Sequence, residues 1–419
     1  MTGGGLARSL GLGDAVVVGL GAMIGAGIFA ALGPAARAAG PGLLIGLAVA
    51  GLVAYCNATS SARLAARYPT SGGTYVYGRE RLGEFWGYLA GWSFVVGKSA
   101  SCAAMALTVG AYVWPSHMHA VAVAAVVGLT AVNYTGIQKS AWLTRMIVAI
   151  VLSILAAVVA TSLTSGRADP ARLEFGGAST AAGVLQAAGL LFFAFAGYAR
   201  IATLGEEVRD PERTIPRAIS AALGITLAVY AAVAVAALLV LGPSRLGATA
   251  TPLSDLVRAA GHEWMSPVVR IGAAVAAAGS LLALILGVSR TVLAMARDRH
   301  LPIRLAAVHP RFAVPHRAEV AVGAIVAIAA ATTDLRAAIG FSSFGVLIYY
   351  AVANAAAWTL APTDNRPPRV IPLLGLIGCL ALAFTLPPTS VLSGTALIAL
   401  GALVYALRRI NRSQPAEKP

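Results

Sequence analysis

Two glycine-broken apolar stretches and one lysine carry the chemistry available to this chain. Residues 19–29 read GLGAMIGAGIF, with four glycines inside a run that otherwise has the character of a membrane helix. A bilayer offers no water to unpaired backbone groups, so a helix breaks there only where it lines a cavity or a ligand. If the helix unwinds and restarts at Gly25-Ala26-Gly27, free N–H groups and the positive helix end favour a carboxylate. Residues 193–199, Phe-Ala-Phe-Ala-Gly-Tyr-Ala, interrupt a second apolar segment, where freed carbonyls accept from an ammonium group. N–H groups on one side and C=O groups on the other suit an α-amino acid, and neither task needs a charged side chain.

Lys98 is the third element, near the centre of an apolar segment between Gly97 and Ser99. An ionisable group at that depth is a functional hypothesis by default. Desolvation favours its neutral amine, which suits a proton carrier. A structural lysine capping helix carbonyls competes equally with that reading. Arg200 is a candidate for the inner pathway or a salt bridge to Glu206 or Glu207. Ser280 and Ser289 either complete a cation site or serve helix packing, and Gly21 with Gly25 forms a GxxxG pair that also suits packing. Asp14 reads first as a helix cap, and Arg270 and Arg290 as snorkelling structural residues. Of sixteen acidic residues none is placed deep in a span, so a cationic substrate side chain would lack a buried partner and Lys98 would repel it.

The elements that hold these groups follow from composition. The chain is 58% hydrophobic and only 11% charged, against roughly 25% in soluble domains, which makes it an integral membrane protein. A span needs about 20 apolar residues. Twelve are expected, at 14–36, 42–66, 84–113, 119–136, 143–163, 183–204, 217–242, 265–295, 318–333, 337–360, 370–386 and 390–407. No cleavable signal peptide is evident ahead of the first. The formal charge of +15 is spread between apolar spans rather than gathered in a basic domain, which argues against nucleic acid. With the N-terminus cytoplasmic, the inner segments hold twenty-one basic residues. The outer ones hold six: Arg37, Arg167, Arg172, Arg245, Arg258 and Arg336. That asymmetry places both termini in the cytoplasm. The broken spans are then one and six, entering from opposite sides, as in an inverted repeat with the ligand near the midplane. The organisation is a cytoplasmic N-terminus (1–13), two five-helix units (14–163 and 183–360), helices eleven and twelve (370–407) and a cytoplasmic tail (408–419).

The histidines fall in predicted loops, no HExxH or Walker motif occurs, and the three cysteines lie in spans. Enzyme, primary pump, metal centre and organic cofactor are therefore not expected. A secondary transporter is the main reading, with a channel or amino-acid sensor on the same scaffold as alternatives.

The chain resembles the amino acid–polyamine–organocation superfamily, in its bacterial amino acid permease branch. The passages GAMIGAGIF (21–29), FFAFAGYA (192–199), EEVRDPERTIPRAI (206–219) and SRTVLAMARDRHLP (289–302) carry the likeness. The resemblance implies an all-α, LeuT-like five-plus-five fold of twelve helices with helices one and six broken, working by alternating access in the cell membrane. It implies that the backbone of Ala26 and Gly27, beside Gly25, holds a carboxylate and that the carbonyls of Ile24, Phe193 and Ala196, beside Gly197, hold the ammonium. The Phe193 ring would be the outer gate. Some relatives carry a carboxylate where Ala199 stands, others a lysine aligned with Val151, and carriers of cationic substrates often a glutamate near Gly97. Those departures leave Lys98 as the candidate internal cation and favour a neutral amino acid, with a cationic amino acid or polyamine as the alternative. The 114–118 stretch has no cysteine for a disulfide-linked partner subunit, so none is expected.

Overall fold

Apolar runs punctuated by glycine and proline fold here into helices. The computed structural model describes residues 10–68, 72–136, 141–174, 179–202, 208–364 and 366–413. Arg8, Lys139, Glu206, Glu207 and Lys418 lie outside them. Among the described residues there are seventeen α-helices, and the only β pairing is an isolated bridge between Leu10 and Val208.

The first interrupted segment forms α1 (Leu12–Met23), α2 (Ala26–Ala30) and α3 (Leu32–Ala39), followed by α4 (Leu43–Arg67). A short α5 (Thr74–Leu82) precedes the long α6 (Glu84–Val113), then α7 (Met118–Tyr134) and α8 (Ala141–Thr164). The second interrupted segment is α9 (Ala181–Phe195), a 3-10 turn over Ala196–Tyr198, and α10 (Ala199–Ala202). Then come α11 (Pro211–Ala248), α12 (Pro252–Ala259), α13 (Ser266–Arg297), α14 (His316–Thr332), α15 (Leu335–Trp358), α16 (Val370–Phe384) and α17 (Pro388–Ser413).

Every one of the twelve expected ranges carries helix. Ten helical stretches are long and apolar enough to cross a bilayer, whereas α14, with 17 residues, and α16, with 15, are shorter than that length. The range expected to stop at residue 242 stops for a physical reason: Gly242 adopts φ 72° and ψ 163°, and Pro243 follows. There α11 kinks, and six further residues continue in a new direction.

Packing divides the helices into centre and rim. The apolar windows of α6 and α15 are 72% and 78% buried, while that of α17 is 17% buried, leaving α17 to face lipid. Small residues bring the central pair together. A Cβ built on Gly97 of α6 would stand 3.1 Å from the Gly345 backbone of α15, the close approach that glycine permits between membrane helices. The contacts also repeat in matched pairs. The first helix of each unit packs on the second of the other, α1 on α11 and α9 on α4. The third packs on the fifth, α6 on α15 and α13 on α8.

Candidate functional site

The first break is a two-residue departure from helical geometry. Ile24 (φ −81°, ψ 61°) and Gly25 (φ −117°, ψ −136°) separate α1 from α2. The Ile24 and Gly25 amides turn back onto the Leu20 and Met23 carbonyls, at 2.7 and 2.8 Å. Helix restarts at Ala26, so the amides of its first turn have no partner within α2. Ala31, itself αR, carries that direction on into α3.

The second break is tighter than its sequence suggests. Helix α9 persists through Phe195, and only Ala196–Tyr198 departs from it, as a 3-10 turn. Phe193 therefore belongs to the last turn of α9, where its side chain is 7% exposed, and not to the unwound segment. The expectation of unwinding from Phe193 to Gly197 shrinks to a turn starting at Ala196. A 3-10 turn keeps i→i+3 hydrogen bonds, so fewer carbonyls are freed than a fully extended break would leave.

The two breaks meet. A Cβ on Gly27 would lie 2.5 Å from Ala194 Cα, so α2 rests directly on the end of α9. One on Gly197 would overlap the Ala22 carbonyl, and one on Gly19 the Ile201 side chain. Thus α1 runs against the turn and α10 while α2 runs against α9. Gly25 faces a third element, since a Cβ there would collide with the Ser280 hydroxyl on α13. Gly21 packs on Val148 and Thr144 of α8. The glycines are thus packing residues as well as hinges, and the two readings of the GxxxG pair coexist.

Lys98 reaches this junction from α6. It is 5% exposed, and its Nζ donates to the Ala196 carbonyl at 3.2 Å. The lysine thus caps a carbonyl, and that carbonyl belongs to the second break. Among the described residues no carboxylate pairs with it. Its neighbour Gly97 is committed to the α6–α15 approach, which leaves no room for a glutamate at that position. Val151 is buried on α8.

Three hydroxyl groups were not singled out from the sequence. Tyr230 of α11, 1% exposed, lies 2.6 Å from the Met23 carbonyl and 3.1 Å from that of Ala194, bridging the ends of α1 and α9. Tyr112 of α6 donates to the Phe29 carbonyl at 2.9 Å, holding α2. Tyr198, in the second break, packs its ring at a tilt against Tyr350 of α15, centroids 5.2 Å apart, with its buried hydroxyl unpaired among the described residues; nearby, Asn354 joins Ser60 and Asn57 at 2.7 and 2.6 Å. The available signal was an isolated tyrosine in an apolar run, whose hydroxyl usually finds an acceptor when buried.

The remaining candidates separate. Ser280 is buried beside Gly25 with an unpaired hydroxyl, whereas Ser289 donates to its own helix at the Ile285 carbonyl, so they do not converge on one ion. Arg270 caps α6 through the Tyr112 and Val113 carbonyls at 2.7 and 2.9 Å. Asp14 accepts from the Gly11 amide at 3.1 Å and pairs with Arg145, as a cap should. Arg200 is exposed on α10. One acid does lie buried within a span. Glu319, 0% exposed in the first turn of α14, has neither carboxylate oxygen hydrogen-bonded. Helix α14 packs on α6, α7 and α13 rather than on the breaks, so Glu319 supplies no partner to a ligand there.

At one end of the bundle a polar latch joins three elements. Tyr75 of α5 meets Asp298 Oδ2 at 2.5 Å and His300 Nδ1 at 2.8 Å, just beyond α13. Arg79 pairs with Asp298 at 2.7 Å, and Arg408 of α17 donates to the His300 carbonyl at 2.6 Å. Burial, and then the Asp298 carboxylate, hold the Tyr75 hydroxyl well above its usual range, so it stays a donor.

An all-helical bundle with ten membrane-length apolar helices and two broken segments meeting at its centre defines a multi-pass membrane transporter. The chain belongs to the amino acid permease family, whose model matches residues 10–405, within the amino acid–polyamine–organocation superfamily. It is 73% identical to an uncharacterized transporter of Mycobacterium tuberculosis over 97% of this chain and 92% of the relative. It is 26% identical to the branched-chain amino acid permease of Bacillus subtilis, over 96% and 93% of the two chains. With the cationic amino acid transporter 7 of Arabidopsis thaliana it shares 29%, over 89% of this chain and 69% of that one. The protein is an amino acid transporter, not an enzyme.

Proposed function

We propose that this chain is a secondary transporter that moves small, apolar, neutral α-amino acids by alternating access. The observation that carries this reading is the convergence of the two breaks, with α2 seated on α9 and Tyr230 spanning their ends. The carboxylate is held by the backbone of Gly25, Ala26 and Gly27. The ammonium rests on the carbonyls of Ile24, Phe193 and Ala196 beside Gly197, and the Phe193 ring closes the outer side. Arg200 lines the inner exit. The matched helix contacts between the two units support a five-plus-five inverted repeat, with α14 and α16 completing twelve spans. Both termini then lie in the cytoplasm, and the chain works without a disulfide-linked subunit.

Lys98 excludes cations and couples transport to protons. A charged lysine already on the Ala196 carbonyl repels a second cation, so basic side chains are disfavoured. The branched-chain substrate in one relative's name fits this chemistry, and the cationic one in another's does not. Within the site, the substrate ammonium and the Lys98 ammonium contest one carbonyl, so binding is eased when Lys98 gives up its proton.

Uptake of labelled amino acids into proteoliposomes tests the reading. Saturable uptake of alanine, valine or leucine is expected, with arginine and polyamines failing to compete. Uptake of arginine alone would overturn the substrate class. Binding without flux would indicate a sensor, and flux that never saturates a channel.

A further inference from the structure

Basic residues are scarce at the end of the bundle opposite the Asp298 latch, yet three of them converge. Arg167 follows α8, Arg245 lies beyond the Gly242 kink of α11, and Arg258 sits on α12. With Leu241, Asp255 and Ala259 they line one cavity of about 430 Å³. Three arginines against one aspartate leave its wall with a net positive charge.

Two of the guanidinium groups are held in place. Arg167 Nη1 donates to the Ala259 carbonyl at 2.7 Å, and its Cζ lies 3.3 Å from where a Cβ of Gly261 (φ 87°) would stand. Arg258 Nη2 bonds Asp255 at 2.8 Å and Ser254 Oγ at 3.3 Å. Asp255 is further engaged by the Thr249 hydroxyl, so the single carboxylate is spent within α12 and the segment before it. Arg245 is exposed and has no ion-pair or hydrogen-bond partner among the described residues. Holding three like charges around one concavity costs Coulomb energy that an anion would reverse. Each guanidinium presents five N–H donors in a planar fork suited to phosphate oxygens. A carboxylate offers two oxygens and a phosphate more, and the cavity is large enough for a phosphodiester headgroup.

We infer that this cavity is a binding site for a phosphate-class oxyanion, either free or as the headgroup of an anionic lipid. The occupant joins α8, α11 and α12 through Arg167, Arg245 and Arg258. The apolar face of α12, Leu253, Leu256 and Val257, is fully buried, and the helix packs on α2, α8, α11 and α13. An anion at the three arginines therefore fastens the helix that covers the end of the broken segment. The inference stands on the cavity alone and does not depend on which substrate the breaks hold.

The full-length protein in neutral detergent is titrated with sodium phosphate against sodium chloride at matched ionic strength, following thermal unfolding. In parallel it is reconstituted in phosphatidylcholine vesicles with or without phosphatidylglycerol at about one fifth of the lipid. Arg245→Gln is the primary variant, since Arg245 makes no contact whose loss would unfold the chain. Arg304→Gln at the opposite end is the control. A saturable rise of about 2 °C or more with phosphate, absent in Arg245→Gln and kept in Arg304→Gln, establishes the free-anion site. A rise seen only with phosphatidylglycerol, and lost in Arg245→Gln, assigns the headgroup. Failure of both probes, or an equal rise in Arg245→Gln, overturns the inference. Hydrogen exchange over residues 252–262 adds a second readout, with protection expected in the wild type alone.

Discussion

In the proposed mechanism Lys98 is the residue on which recognition and coupling turn. Its Nζ donates to the Ala196 carbonyl, which in that mechanism also receives the substrate ammonium, so the two would interact. Acid keeps the lysine charged and opposes the substrate, and loss of its proton relieves the opposition. The apparent KM of the wild type is therefore expected to rise as the medium is acidified, by up to about tenfold per pH unit. In Lys98→Met it should be flat from about pH 5 to about pH 8. Proteoliposome uptake at fixed membrane potential measures both, and an unchanged profile in the variant would reject the coupling role. Lysine was legible in the sequence because a lone charge in an apolar run demands explanation. Its partner was not, because a backbone carbonyl 98 residues away leaves no mark on side-chain identity. Tyr230 was hidden for the same reason, its acceptors lying 207 and 36 residues distant. Glu319 was hidden by a related limit: it lies in the first turn of α14, and only packing shows it buried.

Elements differ in how clearly they announce themselves. Long apolar runs predicted where the long helices lie, and the expected end at residue 242 falls where Gly242 and Pro243 bend α11. The short α5 and α12, of nine and eight residues, did not stand out, because they gain their stability from what they pack against. Yet α5 is half of a latch. Glycines at positive φ bound it, Gly72 and Gly73 before and Gly83 after, and they set the turns that present Tyr75 and Arg79 to Asp298. Arg408 ties α17 to the same corner through His300. Asp298 accepts from both partners at once, so Asp298→Asn removes a charge-assisted pair and weakens the tyrosine bond. The cost should be about 1–3 kcal/mol, read as an earlier thermal transition, with Tyr75→Phe costing about half as much. The variant should also expose the latch end of the bundle more often, raising thiol labelling of a cysteine at Arg304. An Asp298→Asn protein that melts and labels as the wild type would show that α5 is held by its apolar contacts alone.

At the scale of the whole molecule, membrane placement rests on charge and on the tryptophans. Five of the six are exposed at helix ends: Trp86, Trp142 and Trp358 at one side, Trp114 and Trp264 at the other. Indole rings prefer the headgroup level. Trp86 and Trp114 flank α6, and 28 residues of helix rise about 42 Å, the full thickness of a bilayer with its interfaces. The proposed twelve-span topology requires α14 and α16 to cross between the same two planes, although their 17 and 15 residues rise only about 26 and 22 Å. A helix shorter than the hydrocarbon core thins the bilayer locally or borrows flanking residues, at a modest cost per ångström. Both helices lean on long neighbours, α14 on α6 and α7, α16 on α4 and α15, which fix their depth. Impermeant maleimide labelling decides the matter, because Cys56, Cys102 and Cys379 are buried and give little background. With the termini cytoplasmic, Ser116→Cys and Thr333→Cys should react in intact cells and Arg311→Cys only after permeabilisation. Labelling at 116 but not at 333 would mean that α14 fails to cross. Labelling at 311 in intact cells would invert the whole chain and carry the arginine cavity to the cytoplasmic side.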